Sequence, residues 1–354
     1  MKNTISETGS CLPRRCAIAQ SFKGQEQSYP NYKPTDTKLF AMSSRRNKKY
    51  DILAVGELLI DFISTDFADN LDEVHNFKRL LGGSPANMCM NMARLGNKSK
   101  LVASLGNDDM GRYLFKYVQG LGVECENVRA IDIPTTLILV TRSRNVSNFE
   151  AYRGADCEII DEQFPTGLFD EVALFHTTCF ALSREPAQSS ILRAARMAAE
   201  KGCQLSIDAN YARKIWRSQQ QAQKIVSEYC GHGALIKVSE VDWERLYDSK
   251  LEDPEKAAAH FMGLGASEAC ITMGGEGCYV ANAEGGLFLP ARKVEVKDTT
   301  GAGDAFWSGY LTAWLDNEPL INRAKAGRRM AELKLAHFGP LPQRVPRAEV
   351  YADF

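Results

Sequence analysis

Seven consecutive residues, Asp298-Thr299-Thr300-Gly301-Ala302-Gly303-Asp304, carry the groups that chemistry on an anion needs. Phe306, Tyr310 and Trp314 follow at helical spacing, so the seven residues lead into a helix, with Thr299 or Thr300 expected as its cap. Gly301, Ala302 and Gly303 then present peptide N–H groups at a helix N-terminus, where the macrodipole favours negative charge. Asp304 places a carboxylate beside that anion hole. A base next to a site for developing negative charge is what phosphoryl transfer to a hydroxyl requires. A second such stretch lies about two hundred residues upstream: Gly82-Gly83-Ser84-Pro85-Ala86-Asn87, leading into Met88–Leu95 and closed by Gly96. Its punctuation predicts a helix with Ser84 as cap, Pro85 at the first position and Gly96 just past the end. Gly82 and Gly83 allow close backbone approach to a ligand, and Asn87 offers a donor and an acceptor to a hydroxyl.

The elements that must position these groups alternate. Strands are expected at 51–56 (continuing through Asp61), 100–105, 135–141, 172–176, 204–208, 234–238 and 269–273. Helices are expected at 109–121, 184–201, 217–230, 240–248 and 254–263. Such alternation predicts βαβ units and a doubly wound, mostly parallel α/β sheet, whose ligands bind beyond the carboxyl ends of the strands. Asp61, Asn210, Ser239, Thr272–Gly277 and Asp298–Asp304 all fall at such ends. Arg142-Ser143-Arg144-Asn145 turns the 135–141 strand back into Phe149–Arg153 as a hairpin.

The composition bounds the class. At 354 residues, 44% hydrophobic and 25% charged, the chain reads as a soluble globular protein of about two domains, or of one large α/β domain with an appendage. A net charge of -1 argues against a general nucleic-acid binder. No run approaches the ~18 apolar residues of a membrane span. Residues 1–49 are polar and lack periodicity, which predicts a disordered extension, and Met42 is an alternative start. The ten cysteines include no C-x-x-C pair and read as reduced thiols in a cytoplasmic protein. The five histidines show no ligand spacing. No G-x-x-x-x-G-K-[ST], no G-x-G-x-x-G after the first strand and no G-x-S-x-G occur, which disfavours P-loop, dinucleotide and serine-hydrolase readings.

Residues 50–350 resemble the ribokinase-like (PfkB) carbohydrate kinases. Gly82–Asn87 with Ala93-Arg94-Leu95-Gly96 is similar to that family's N-terminal signature, and Asp298–Phe306 to its C-terminal one. The resemblance implies ATP-dependent phosphorylation of a hydroxymethyl group. It makes Asp304 the catalytic base and Gly301, Ala302 and Gly303 the anion hole. It makes Asp61, Gly82, Gly83 and Asn87 sugar contacts. It places Ser239, Thr272, Gly274 and Gly277 near the nucleotide, Asp242 near Mg²⁺ through water, and Asp298 and Thr300 at a monovalent-cation site usually filled by K⁺. It implies a small β lid from about 62–80 and 130–155, from which Tyr152 and Arg153 reach the substrate, and a homodimer formed through that lid. The 149–156 segment and the Ser-Pro form of the first signature look most like fructokinases, with 2-keto-3-deoxygluconate kinases as the alternative. A nucleoside kinase and a catalytically weak sugar- or nucleotide-binding relative are further alternatives.

Overall fold

A computed structural model describes residues 48–142 and 148–354. The expectations for the N-terminal extension, the alternative start and the 143–145 turn lie outside these residues. A run of apolar residues forms β1 (Tyr50–Val55), buried at every position. Strands that read as continuous hydrophobic runs are those covered on both faces. Along β1 the side chains alternate between two cores: Leu53 and Val55 pack in one, Ile52 and Ala54 on the other side.

β1 lies inside a nine-stranded sheet. After it in the chain come β2 (Leu59–Phe67), β3 (Phe77–Gly82), β4 (Ser99–Gly106), β5 (Val128–Ile131), β6 (Leu137–Arg142) and β7 (Phe149–Tyr152). They are followed by β8 (Val172–Thr178), β9 (Gln204–Asp208), β10 (Leu235–Ser239), β11 (Glu268–Thr272), β12 (Gly277–Asn282) and β13 (Gly285–Pro290). The large sheet runs β13-β12-β11-β10-β9-β8-β1-β4-β5. From β5 to β11 every pairing is parallel, and β12 and β13 add an antiparallel edge. The chain builds from β1 to β4 and β5 on one side, then returns to add β8–β11 on the other, so the strand order reverses at β1. A reversal of this kind opens a crevice at the strand ends.

One face of the sheet is covered by α1 (Ser84–Arg94), α2 (Asp109–Gly120), α7 (Ala302–Leu315) and α8 (Leu320–Leu335). The other carries α3 (Ala187–Glu200), α4 (Gln219–Cys230), α5 (Glu240–Tyr247) and α6 (Pro254–Gly263). The helix α9 (Arg347–Val350) closes the chain against α1 and α8. α7 is apolar all round, with every residue from Ala305 to Leu315 buried, because it is enclosed between the sheet, α1 and α8.

A four-stranded sheet, ordered β3-β2-β6-β7, stands apart. Its β2–β3 and β6–β7 pairs are antiparallel and β2–β6 is parallel. The first strand therefore does not continue through Asp61. It stops at Val55, and beyond Gly56, at φ 148°, the chain enters the small sheet as β2. Of the segments expected there, Val128–Ile131 instead extends the large sheet beside β4, and the next strand begins at Leu137 rather than Thr135.

Candidate active site

Ser84 and Asp304 are 220 residues apart in the chain and in contact in the fold. Ser84 Oγ donates to Asp304 Oδ1 at 2.6 Å, and Asn87 Nδ2 donates to Oδ2 at 3.0 Å. Ser84 is thus not the cap of α1. The cap is Gly83, Ser84 opens the helix, and its hydroxyl is spent on the carboxylate. Gly83 sits at φ 103°, and a Cβ there would stand 2.2 Å from the Glu57 carbonyl oxygen, so only glycine fits. The Ser84 N–H is held by the buried Glu57 carboxyl at 3.2 Å. Burial, countered only partly by hydrogen bonds, pushes Glu57 up to about 8.

The second signature differs from its expected cap in the same way. α7 is capped by Gly301 at φ 73° rather than by Thr299 or Thr300, both of which are exposed. The left-handed turn at Gly301 brings Asp304 back towards α1. Ala302 donates its N–H to the Thr299 carbonyl at 3.2 Å. The Gly303 N–H lies in the first helical turn, which offers it no intrahelical carbonyl. Burial raises Asp304 above the usual carboxylate range, against the pull of Ser84, Asn87, Lys237 and Lys334.

Ser84, Asn87, Lys237 and Asp304 line one open cavity of about 480 Å³, together with Glu57, Asp61, Gly83, Ser239, Asp242, Thr272, Thr300, Gly301 and Gly303. Asp61, on β2, faces the cavity from the small sheet, paired with Leu80 of β3, and Gly82 ends that strand. Burial, then the Asp304 charge, raises Asp61 to about 7. Ser239 caps α5 in a reciprocal box with Asp242: Ser239 Oγ accepts the Asp242 N–H at 3.0 Å, and the Ser239 N–H donates to Asp242 Oδ2 at 3.0 Å. Asp242 Oδ1 accepts the Tyr211 N–H at 2.8 Å. Thr272 ends β11 at the cavity, whereas Gly274 and Gly277 stand in the turn behind it.

Two expected substrate contacts are elsewhere. Tyr152 is 62% exposed and does not line the cavity. Arg153 is buried: its Nε donates to Asp156 Oδ2 at 2.7 Å and a terminal nitrogen donates to Ser183 Oγ at 2.9 Å. Its guanidinium lies 4.2 Å above the ring of Phe180, and it is Phe180 that lines the cavity. An arginine with a carboxylate three residues on is satisfied locally, which removes it from the site.

Sequence reasoning missed Lys237 and Asp208. They are register partners on the parallel strands β10 and β9, and Lys237 Nζ donates to Asp208 Oδ2 at 2.7 Å in a fully buried pair. A Cβ on Gly303 would stand 3.5 Å from Lys237 Nζ, so the ammonium borders the first turn of α7. Burial works against its charge, but Asp208, Asp242 and Asp304 outweigh it and keep Lys237 above its ordinary range. A lysine inside Ala-Leu-Ile-Lys-Val-Ser was the available signal, since a strand interior tolerates such a charge only when it is paired.

A carboxylate held at a helix N-terminus, a buried ammonium and an open cleft at the sheet's switch point bring the two signature stretches together. The family model of the pfkB family carbohydrate kinases matches residues 49–345. The chain belongs to that family. This kinase is 34% identical over 295 residues to an ATP-dependent 6-phosphofructokinase of Thermoanaerobacterium thermosaccharolyticum, a match covering 83% of this chain and 91% of the relative. It is 35% identical over 270 residues to fructokinase-1 of Oryza sativa subsp. japonica, covering 73% and 81%. Among solved structures, the fructokinase of Halothermothrix orenii superposes with a TM-score of 0.68 at 28% identity, covering 81% of this chain and 98% of that one. A fructokinase with bound ATP from Xylella fastidiosa, at 23% identity and a TM-score of 0.74, shares the fold. The protein is accordingly an ATP-dependent carbohydrate kinase with a ribokinase-like fold.

The metal expectations meet the geometry differently. Among the described residues no cluster of three or more His, Cys, Asp or Glu side chains is placed to hold a metal ion. Mg²⁺ does not need one, because it is usually bound by one or two carboxylates plus substrate phosphates; Asp242 lines the cavity wall, with its Oδ2 taken by the Ser239 N–H and hydroxyl and a lone pair left on Oδ1 beside the Tyr211 N–H. The monovalent-cation site fits less well. A cation of the chain already stands on Asp298: Lys334 Nζ and the Gly339 N–H, each at 3.1 Å, fill one oxygen, and the Thr300 N–H at 3.0 Å is on the other.

Proposed function

We propose that this kinase transfers the γ-phosphoryl group of ATP to a hydroxymethyl group of fructose, with Asp304 as general base. The observation that carries this reading is the convergence of Asp304, the α7 N-terminus and Lys237 on one cavity that Asp61 closes from the small sheet. The sugar is held by Asp61, the Gly83 turn and Asn87. Ser84 and Asn87 orient the Asp304 carboxylate, and each of its oxygens keeps a lone pair for the hydroxyl proton. As the hydroxyl oxygen bonds to the γ-phosphorus, its proton passes to Asp304 and the bond to the β–γ bridging oxygen breaks, releasing ADP. The N–H groups of Gly301 and Gly303 and the Lys237 ammonium meet the charge on the transferring group. Mg²⁺, held through Asp242 and the phosphates, would neutralise phosphate charge when bound. The nucleotide lies along Ser239 and Thr272, with Gly274 and Gly277 forming the turn beyond them.

The small sheet acts as the lid: it carries Asp61 and Ile138 to the cavity, and closing it excludes water from the phosphoryl group. Phe67 and Tyr152 are exposed on it, which supports a homodimer formed through this sheet. Among the described residues eight cysteines are free and buried, which supports an enzyme of a reducing compartment such as the cytoplasm.

The 34% identity to a 6-phosphofructokinase favours a second acceptor, fructose 6-phosphate. The 2-keto-3-deoxy acid loses support, because Arg153, the expected reader of its carboxylate, is bound to Asp156 and Ser183. The test is ADP release with ATP and a panel of fructose, fructose 6-phosphate, ribose, 2-keto-3-deoxygluconate and adenosine. The proposal expects fructose to give the highest kcat/KM. A higher value for any other acceptor overturns it.

A further inference from the structure

The loop that opens α7 is fastened by a charge belonging to the chain itself. Lys334, in the last turn of α8, sets its Nζ 3.1 Å from Asp298 Oδ2, and the two side chains are 8% and 13% exposed. The same side chain runs beneath the anion hole: a Cβ on Gly301 would stand 3.8 Å from Lys334 Cε and 3.8 Å from Asp304 Oδ2. Lys334, Asp298, Thr300 and Gly301 share a cavity of about 100 Å³ with Arg79 and Arg94. The Asp298 carboxylate already has an ammonium and two N–H donors, and the two arginines add positive charge to the walls of the same cavity. A free monovalent cation entering here would meet the Lys334 ammonium already on the cavity's one carboxylate, with two guanidinium groups in the walls.

We propose that Lys334 is a tethered cation, doing permanently for Asp298 and the Gly301 turn what a bound K⁺ would do. The enzyme is therefore catalytically indifferent to the monovalent ion in solution. Its stem holds the ammonium at the site at all times, so no binding step from bulk is needed. The ammonium fixes Asp298, which in turn holds the Thr300 N–H and the loop that aims the Gly301 and Gly303 N–H groups. This rests on reading Gly301–Asp304 as anion hole and base. Lys334 touches no reacting atom in that reading and is a positioning residue.

The test compares the wild-type enzyme with Lys334→Ala and Lys334→Arg in the chlorides of K⁺, Na⁺ and tetramethylammonium at equal ionic strength. Wild type and Lys334→Arg are expected to keep kcat within about twofold across the three salts. Lys334→Ala leaves room and an unpaired carboxylate, so it is expected to lose about tenfold or more in tetramethylammonium and to regain most of that in K⁺. Melting curves without sugar or nucleotide provide an independent readout: K⁺, and not tetramethylammonium, should raise the melting temperature of the alanine variant alone. Because melting needs no turnover, it still reads the proposal if the acceptor or the base has been misassigned. Activation of the wild type by K⁺ of more than about fivefold overturns the proposal. So does a loss in Lys334→Ala that is equal in all three salts with melting insensitive to K⁺. If the alanine variant does not fold, the salt comparison on wild type and Lys334→Arg decides.

Discussion

The two sheets bury their strands to different degrees. In the large sheet β1, β4 and β8 are buried at every position. In the small sheet β3 and β7 are mostly half-buried or exposed, and β2 ends in three exposed residues. The buried sheet and its helices carry the groups assigned to chemistry: Lys237, Asp208 and, through α7, Asp304. The open sheet carries Asp61, assigned to recognition. Packing on all sides fixes a side chain's rotamer, which transition-state stabilisation demands; a sheet covered on one side can move to admit substrate. Changes in the large sheet should therefore appear in kcat and stability, and changes in the small sheet in KM.

The largest expected effect breaks or keeps that division. Asp304→Asn should lower kcat by about 10²–10⁴, the usual contribution of a general base, with KM for the sugar little changed. Steady-state kinetics would overturn the assignment if kcat stayed near normal. Next comes Lys237→Met, which leaves Asp208 buried without its partner and should cost about 3–5 kcal/mol in denaturant unfolding. Adding Asp208→Asn should recover much of that stability while kcat stays low, separating the structural role of the pair from the role of the ammonium.

Acidity sharpens the comparison further. Asp61, raised to about 7, is the small sheet's group. As a carboxylate it accepts hydroxyl protons from the sugar, so KM should rise as pH falls through about 7. Asp61→Asn should remove that inflection from KM while kcat keeps its own decline towards acid from Asp304; an inflection that survives in KM belongs to another group. Glu57, under α1, titrates through stability. Its folded value, about 8, lies above the 4.5 of an ordinary glutamate, so the folded protein holds more protons in between. The stability from neutral Glu57 is complete below the ordinary range and is lost as pH rises through about 8. Glu57→Gln should flatten that part of a pH series of urea unfolding curves. Phe67→Lys on β2 should have the smallest effect on turnover, within about twofold, while shifting sedimentation from dimer to monomer. A wild type that sediments as a monomer removes the interface.

The parallel alternation and both signatures were legible because they are local: apolar runs of strand length, glycine at the end of a helix, glycine pairs ahead of acids. Gly96 stands just past α1 as its spacing indicated, at φ 81°. The misreadings come from partners that local spacing does not reveal, most of them distant in the chain. Ser84 and the threonines before Gly301 satisfied a local capping rule, but Ser84 found a better acceptor 220 residues away. Arg153 looked free because its partner, three residues on, acts through a turn rather than a helix. Lys237 and Asp208 read as strand interior because a pair across parallel strands leaves no trace in local spacing. Lys334 falls in the same class, its acceptor lying 36 residues earlier in the chain.

The bond between Ser84 and Asp304 also bears on synthesis. A chain emerging from its N-terminus makes the sugar clamp early and the base near the end. Ile52 of the first strand shares a core with Trp307 and Tyr310, so even β1 lacks part of its covering until α7 has been made. In the reading proposed above, a chain lacking α7 keeps Gly83 and Asn87 but has neither Asp304 nor the helix N-terminus that would meet the phosphoryl charge. In that reading, turnover would report that α7 has been made and has docked against the first strand and α1.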